Sequence, residues 1–111
     1  KLESLGVKRM IIKLGNYGMI YSYDNEIFFL PALLLDKVVD PTGAGDSFAG
    51  GFMGYLSTVQ KSDEIEFKNA CVFGTVMASF CVEDFGANKT LNLTEEEINI
   101  RKNLLFKQIK I

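Results

Sequence analysis

The sequence predicts an α/β fold with a mainly parallel sheet, and three observations carry that expectation. Met10, Ile11 and Ile12 form a continuous apolar core within a strand-like stretch from Val7 to Leu14, as suits a strand buried on both faces. Two long stretches with helical spacing follow it, after short strand-like runs. A glycine-rich turn joins the last of those runs to the first helix, which is the alternation of strand and helix that marks the α/β class.

Taken in order, Leu2, Leu5 and Gly6 read as the last turn of a helix closing on a glycine cap. The strand from Val7 to Leu14 comes next, and Asn16-Tyr17-Gly18 is a turn. Met19 to Tyr23 and Glu26 to Leu30 read as two strands of a hairpin around the polar turn Asp24-Asn25. Pro31 interrupts the apolar run, and Lys37 to Val39 resumes it as a short strand leading to Asp40. From Gly45 to about Leu56 the pattern is helical, with Phe48, Phe52 and Leu56 at steps of four and Ala49 and Met53 beside them. Gly50, Gly51 and Gly54 each cost about 1 kcal/mol relative to alanine in an exposed helix, so a neighbour is expected to pack very close.

After the loop Lys61-Ser62-Asp63, a second helix is expected from Asp63 to about Val82, with Ile65, Asn69, Val72, Val76 and Phe80 along one side. Glu83 to Asn88 is a turn-rich exit. Thr94 and Glu97 have the spacing of a capping box, so a further helix starts there. From Leu104 to Ile111 the pattern fits either the end of that helix or a strand. No repeat, linker or low-complexity tract interrupts the chain, so residues 1–111 are expected to be part of one domain and a fragment of a longer polypeptide.

Composition removes several function classes. A hydrophobic share of 48% with 23% charged residues is that of a globular chain, not a disordered one. Fourteen acidic and twelve basic residues, intermixed, leave a net charge of −2, which gives no long-range attraction for nucleic acid or an anionic membrane. The longest apolar stretch, Ile27 to Leu35, contains a proline and falls short of the roughly 20 residues of a membrane span. With no secretory signal pattern at Lys1 to Gly6, the cytoplasm is the expected compartment. Cys71 and Cys81 fall in one expected helix about 15 Å apart, too far for a disulfide, and read as buried apolar residues. The chain has no histidine, so its chemistry rests on carboxylates, lysines, hydroxyls or backbone amides.

The segment Asp40-Pro41-Thr42-Gly43-Ala44-Gly45-Asp46 lies between an expected strand and an expected helix. Glycines let the backbone turn its amides toward one point, and the helix start adds about half a positive charge there. This is an anion cradle of the kind that holds phosphate. A plainer reading competes with it: Gly43 and Gly45 make a tight connection, and Asp46 complements the helix dipole.

The run from Asp40 through Asp46 to Ser47-Phe48-Ala49-Gly50-Gly51-Phe52 resembles the C-terminal signature of the ribokinase-like, or PfkB carbohydrate kinase, family. Lys13-Leu14-Gly15-Asn16-Tyr17-Gly18 is similar to a strand-turn segment of that family's nucleotide site, although many members have threonine where Lys13 stands. Gly86-Ala87, followed by a short run into Thr94-Glu95-Glu96-Glu97, is similar to the closing elements around the family's adenine and monovalent-cation sites. The resemblance covers most of this chain and only about the last third of a family member. The segments that would form most of the acceptor pocket, its lid and an acidic magnesium motif lie outside it.

The resemblance implies the C-terminal part of a ribokinase-like three-layer α/β/α fold. It implies phosphoryl transfer from ATP, with Mg2+, to a hydroxyl of a sugar or sugar-like small molecule. Asp46 would be the catalytic base. Gly43, Ala44, Gly45 and Asp46 would form the anion hole, and Lys13, Gly15, Gly86 and Ala87 would contact the nucleotide. Asp40 and Thr42 match positions that ligate a potassium-like ion, although Asp40 also reads as a strand-ending turn cap. Lys13 equally fits a solvated strand end, and Glu95, Glu96 and Glu97 fit helix-start complementarity. Two alternatives stand beside the sugar kinase: a nucleoside kinase of adenosine-like specificity, and a non-catalytic nucleotide-binding fragment. A homodimer through the lid, and an isolated fragment without turnover, are further expectations.

Overall fold

The computed structural model describes residues 9–24, 26–34, 44–61, 63–83 and 93–109. They fall into two compact units, Lys1–Ala32 and Leu33–Ile111.

In the first unit, β1 (Arg9–Lys13), β2 (Met19–Tyr23) and β3 (Glu26–Leu30) form a three-stranded sheet in that order. The expected hairpin is present, with Tyr21 opposite Phe28 and Met19 opposite Leu30. β1 also pairs antiparallel with β2, Ile12 facing Ile20. The parallel neighbours expected for this strand are therefore not the partners among the described residues. The connection from Leu14 to Gly18 is too short for the crossover that parallel pairing needs. Nor is β1 buried on both faces: Arg9, Ile12 and Lys13 are exposed. Alternation along the hairpin buries Met19, Tyr21 and Leu30 on one face and leaves Ile27 and Phe29 exposed on the other.

The β1–β2 turn is a single 3-10 turn, Gly15–Tyr17, closed by the Leu14 amide donating to the Gly18 carbonyl at 2.8 Å. Gly18 is required here. Its φ of 114° is one that side chains rarely adopt, and a Cβ would collide with the Leu30 carbonyl and lie 2.6 Å from Pro31 Cα. On the sheet, the Arg9 guanidinium donates to the Tyr21 hydroxyl at 3.2 Å and stacks 4.2 Å over the Tyr23 ring.

The second unit is helical where described: α1 (Ala44–Thr58), α2 (Glu64–Glu83) and α3 (Glu95–Ile109). The first two helices cross closely at two glycines. A Cβ on Gly51 would lie 3.1 Å from Gly74 Cα, and one on Gly74 would lie 2.8 Å from the Phe48 carbonyl oxygen. Close approach was expected of Gly50 and Gly54 as well, and there the structure differs. Both are exposed, with nothing among the described residues within 4 Å of a built Cβ, because they lie on the face of α1 turned away from α2. Ala49 and Met53 share that exposure, while Phe48 is buried and stacks on Phe52 at 6.1 Å.

Asp63 caps α2 by accepting from the Glu66 amide at 3.0 Å. Val72, Val76 and Phe80 are buried as expected, whereas Ile65, the second residue of the helix, is exposed. Cys71 and Cys81 are buried free thiols. A polar cluster ties α1 to α2: the Tyr55 hydroxyl and the Asn69 side-chain amide each donate to Glu66 Oε1 at 2.9 Å.

Thr94 caps α3 as expected, its Oγ1 accepting from the Glu97 amide at 3.1 Å and donating to the Glu97 carboxylate at 3.3 Å. The tail whose state was open between helix and strand is helix through Ile109. It docks on α2 through fully buried Leu105 and through Arg101, which stacks 4.0 Å over Phe80 and donates to the Ser79 hydroxyl at 3.1 Å. Gln108 holds Leu34: the Leu34 amide donates to Oε1 at 2.8 Å, and Nε2 donates to the Leu34 carbonyl at 2.9 Å. No helix among the described residues is long and apolar enough to cross a membrane.

Candidate functional site

Of the segment expected to form an anion cradle, the described residues are those at the start of α1. Ala44, Gly45 and Asp46 are its first three residues, one residue earlier than the periodicity placed the helix start. The first four amides of a helix, here those of Ala44, Gly45, Asp46 and Ser47, have no carbonyl partner within it. Their dipoles sum to a partial positive charge at this end. Asp46 is the acidic residue of the first turn and is exposed, as is Gly45.

Gly45 bears on the space around these amides. Apart from its own turn of helix, nothing among the described residues lies within 4 Å of a built Cβ, and its φ is not in the left-handed range. Neither backbone strain nor crowding demands glycine there. What glycine leaves is an unobstructed approach to the amides, as wanted where an anion must come close.

Phe48, two residues beyond Asp46, is the residue that α2 grips at Gly74. The first turn of α1 is therefore rigidly based. This support was hidden from the sequence, since Gly74 sits within an apolar helix and nothing local marks it as the crossing point.

Lys13 and Gly15 lie in the first unit, Lys13 as the exposed last residue of β1 and Gly15 as the first of the 3-10 turn, with a φ of 62°. The left-handed φ by itself favours glycine at position 15, whether or not a nucleotide is bound. Asp40, Thr42, Gly43, Gly86 and Ala87 lie outside the described residues. The structure thus brings together Ala44, Gly45 and Asp46 on one turn. Among the described residues no group of three or more acidic or cysteine side chains gathers to hold a metal ion.

Comparison with known proteins bears on the same segments. The profile of the pfkB family of carbohydrate kinases matches residues 1–94. A nucleoside kinase of Methanocaldococcus jannaschii is 38% identical over 86 residues, covering 77% of this chain and 26% of the relative. A ribokinase of Staphylococcus aureus is 31% identical over 93 residues, covering 84% of the chain and 29% of the relative. The crystal structure of aminoimidazole riboside kinase from Salmonella enterica, complexed with aminoimidazole riboside and an ATP analog, superposes with a TM-score of 0.78 at 32% identity. That superposition covers 91% of this chain and 33% of the other. The chain thus spans between about a quarter and a third of the length of these proteins.

Proposed function

The chain belongs to the pfkB family of carbohydrate kinases, and from that premise we propose that the intact protein transfers the γ-phosphoryl group of ATP to a hydroxyl of a sugar or of a nucleoside's ribose. The observation that carries this reading is Asp46 on the first turn of α1, exposed, beside helix-start amides left open by Gly45.

Phosphoryl transfer asks a protein for charge stabilisation at the transferring group and a base at the attacking hydroxyl. The amides of Ala44, Gly45 and Asp46, with Gly43 ahead of them in sequence, supply the first by donating to phosphoryl oxygens. The Asp46 carboxylate supplies the second. As the acceptor oxygen bonds to phosphorus and the bond to the β-phosphate oxygen breaks, Asp46 takes the hydroxyl proton and ADP departs. A carboxylate is a weak base and takes the proton late in transfer, as the hydroxyl turns acidic. The chain contains no histidine to replace it. Magnesium would neutralise charge on the ATP phosphates, held mainly by those phosphates and water.

Kinetics on the intact protein test the assignment. Asp46→Asn keeps shape and removes the base, so turnover falls by about 10² to 10⁴ with ATP affinity nearly kept. A purely structural Asp46 would instead cost about 0.3–1 kcal/mol of stability, and turnover per folded molecule within about threefold of the parent sinks the catalytic reading. A nucleoside acceptor is favoured as second reading by the 38% identity to a nucleoside kinase. Comparing kcat/KM across sugars and nucleosides separates the two.

A further inference from the structure

We infer that Tyr55 and Glu66 are positioning residues that set the rotation of α1 about its own axis and so aim the Asp46 carboxylate, an inference that rests on the proposed role of Asp46. The Tyr55 hydroxyl and the Asn69 side-chain amide each donate to Glu66 Oε1 at 2.9 Å, which bonds α1 to α2. Around that bond the crossing is apolar, with Phe48 against Gly74, Phe52 against Phe67 at 6.1 Å and the Tyr55 ring against Phe73 at 5.9 Å. Apolar contact is non-directional, so it fixes how close the helices come more firmly than how α1 is turned. A hydrogen bond weakens steeply away from its preferred angle, and it therefore selects one rotation.

That rotation matters because Asp46 faces away from α2. At 3.6 residues per turn, each residue advances the helix by about 100°. Phe48 and Tyr55 therefore share one side of α1 to within about 20°, the side that meets α2. Asp46 lies about 180° from Tyr55 and is exposed. Its setting is thus passed on through the backbone of α1, a single helix from Ala44 to Thr58. A helix turns as a rod. Its Cα atoms lie about 2.3 Å from the axis and its side-chain ends about 5–6 Å, so a rotation of about 5° carries the carboxylate about 0.5 Å and the first-turn backbone about 0.2 Å.

Loss of the bond moves the base more than the amides that hold phosphate, and the expected signature is a fall in kcat with ATP binding kept. A misplacement of about 1 Å can cost about 10², so a shift near 0.5 Å costs about tenfold. Tyr55→Phe in the intact protein deletes the hydroxyl, keeps the ring on Phe73 and is expected to lower kcat per folded molecule about five- to thirtyfold. The dissociation constant for ATP stays within about twofold. Glu66→Ala gives the same split, and Tyr55→Phe combined with Glu66→Ala falls no further, since both remove the same bond. Glu66→Gln keeps an oxygen that accepts from Tyr55 and retains kcat within about twofold.

A cycle with Asp46→Asn tests whether Tyr55 acts through the carboxylate. In the Asp46→Asn background Tyr55→Phe is expected to cost at most about twofold, because no base remains to be misplaced. The inference is overturned if Tyr55→Phe and Glu66→Ala lower only the unfolding midpoint and leave kcat per folded molecule parental. It is equally overturned if ATP affinity falls as much as kcat, or if the Tyr55→Phe loss is as large with Asp46→Asn as without it. Turnover lost in Asp46→Asn beside parental kcat in Tyr55→Phe rejects the positioning role alone. Parental turnover in Asp46→Asn rejects Asp46 as the base, and the positioning role with it.

Discussion

The crossing of α1 and α2 makes a quantitative prediction from four glycines. A Cβ at Gly74 would sit 2.8 Å from the Phe48 carbonyl oxygen and 2.9 and 3.0 Å from two Phe48 ring carbons, all well inside the 3.4 Å where ordinary contact begins. The nearest of these is backbone, which cannot swing aside, so the helices must separate. At Gly51 the nearest atom is Met77 Cγ at 3.0 Å, which can rotate aside, but Gly74 Cα at 3.1 Å and Met77 Cβ at 3.2 Å cannot. Overpacking of this kind costs about 1–3 kcal/mol, with Gly74→Ala at the upper end and Gly51→Ala below it. Gly50→Ala and Gly54→Ala meet nothing within 4 Å among the described residues and gain up to about 1 kcal/mol from helix propensity.

Urea unfolding of the intact protein carrying each change measures the difference. The midpoint falls by about 1 M for Gly74→Ala and is unchanged or raised for Gly54→Ala, with the m-value constant. Because Phe48 is two residues from Asp46, Gly74→Ala also lowers turnover per folded molecule, by up to about 10² for a displacement approaching 1 Å. Equal midpoints for Gly74→Ala and Gly54→Ala would refute the reasoning, since the one distinction between them is the space the structure assigns.

Two further outcomes follow from other parts of the structure. Gly45→Val leaves the unfolding midpoint unchanged or raised, since the position is open and its φ ordinary, yet raises the ATP KM about tenfold or more by blocking amides that bond a charged group; parental KM and turnover together would remove the cradle. Burial first, then the hydrogen bond and charge of Glu66, push the Tyr55 phenol above its ordinary value of 10.0. The folded protein therefore holds that proton longer than the unfolded chain. The resulting stability is fully present below pH 10 and is lost as pH rises through the folded value. The parent protein should exceed Tyr55→Phe by about 1 kcal/mol at pH 8, with the gap closing above pH 10; no gap at pH 8 would show the Tyr55–Glu66 bond contributes nothing, and a gap constant to pH 11 would show folding does not raise the phenol.

Much of this chain was legible without coordinates, for reasons that are local. Strand alternation and the Asp24-Asn25 turn specify the β2–β3 hairpin, because side-chain period and turn chemistry act over a few residues. The Thr94–Glu97 cap is likewise a short-range bond between groups three residues apart. Asp46 on the first turn of a helix followed from glycines placed ahead of an apolar period of four, and the family was evident from the same run.

Tertiary structure decided what depends on which surfaces meet. Sequence could say that Gly50, Gly51 and Gly54 needed a reason, and only the close approach of α2 shows that Gly51 has one while Gly50 and Gly54 meet nothing among the described residues. The apolar core of β1 signalled burial but not the partner. A five-residue connection made that partner the antiparallel β2 and left Ile12 exposed. The pairing of Gln108 with Leu34 carried no local sign, since Gln108 lies in a tail that fitted helix or strand equally. A bond spanning 74 residues exists only once α3 has packed on α2, so no periodicity or spacing along the chain could encode it.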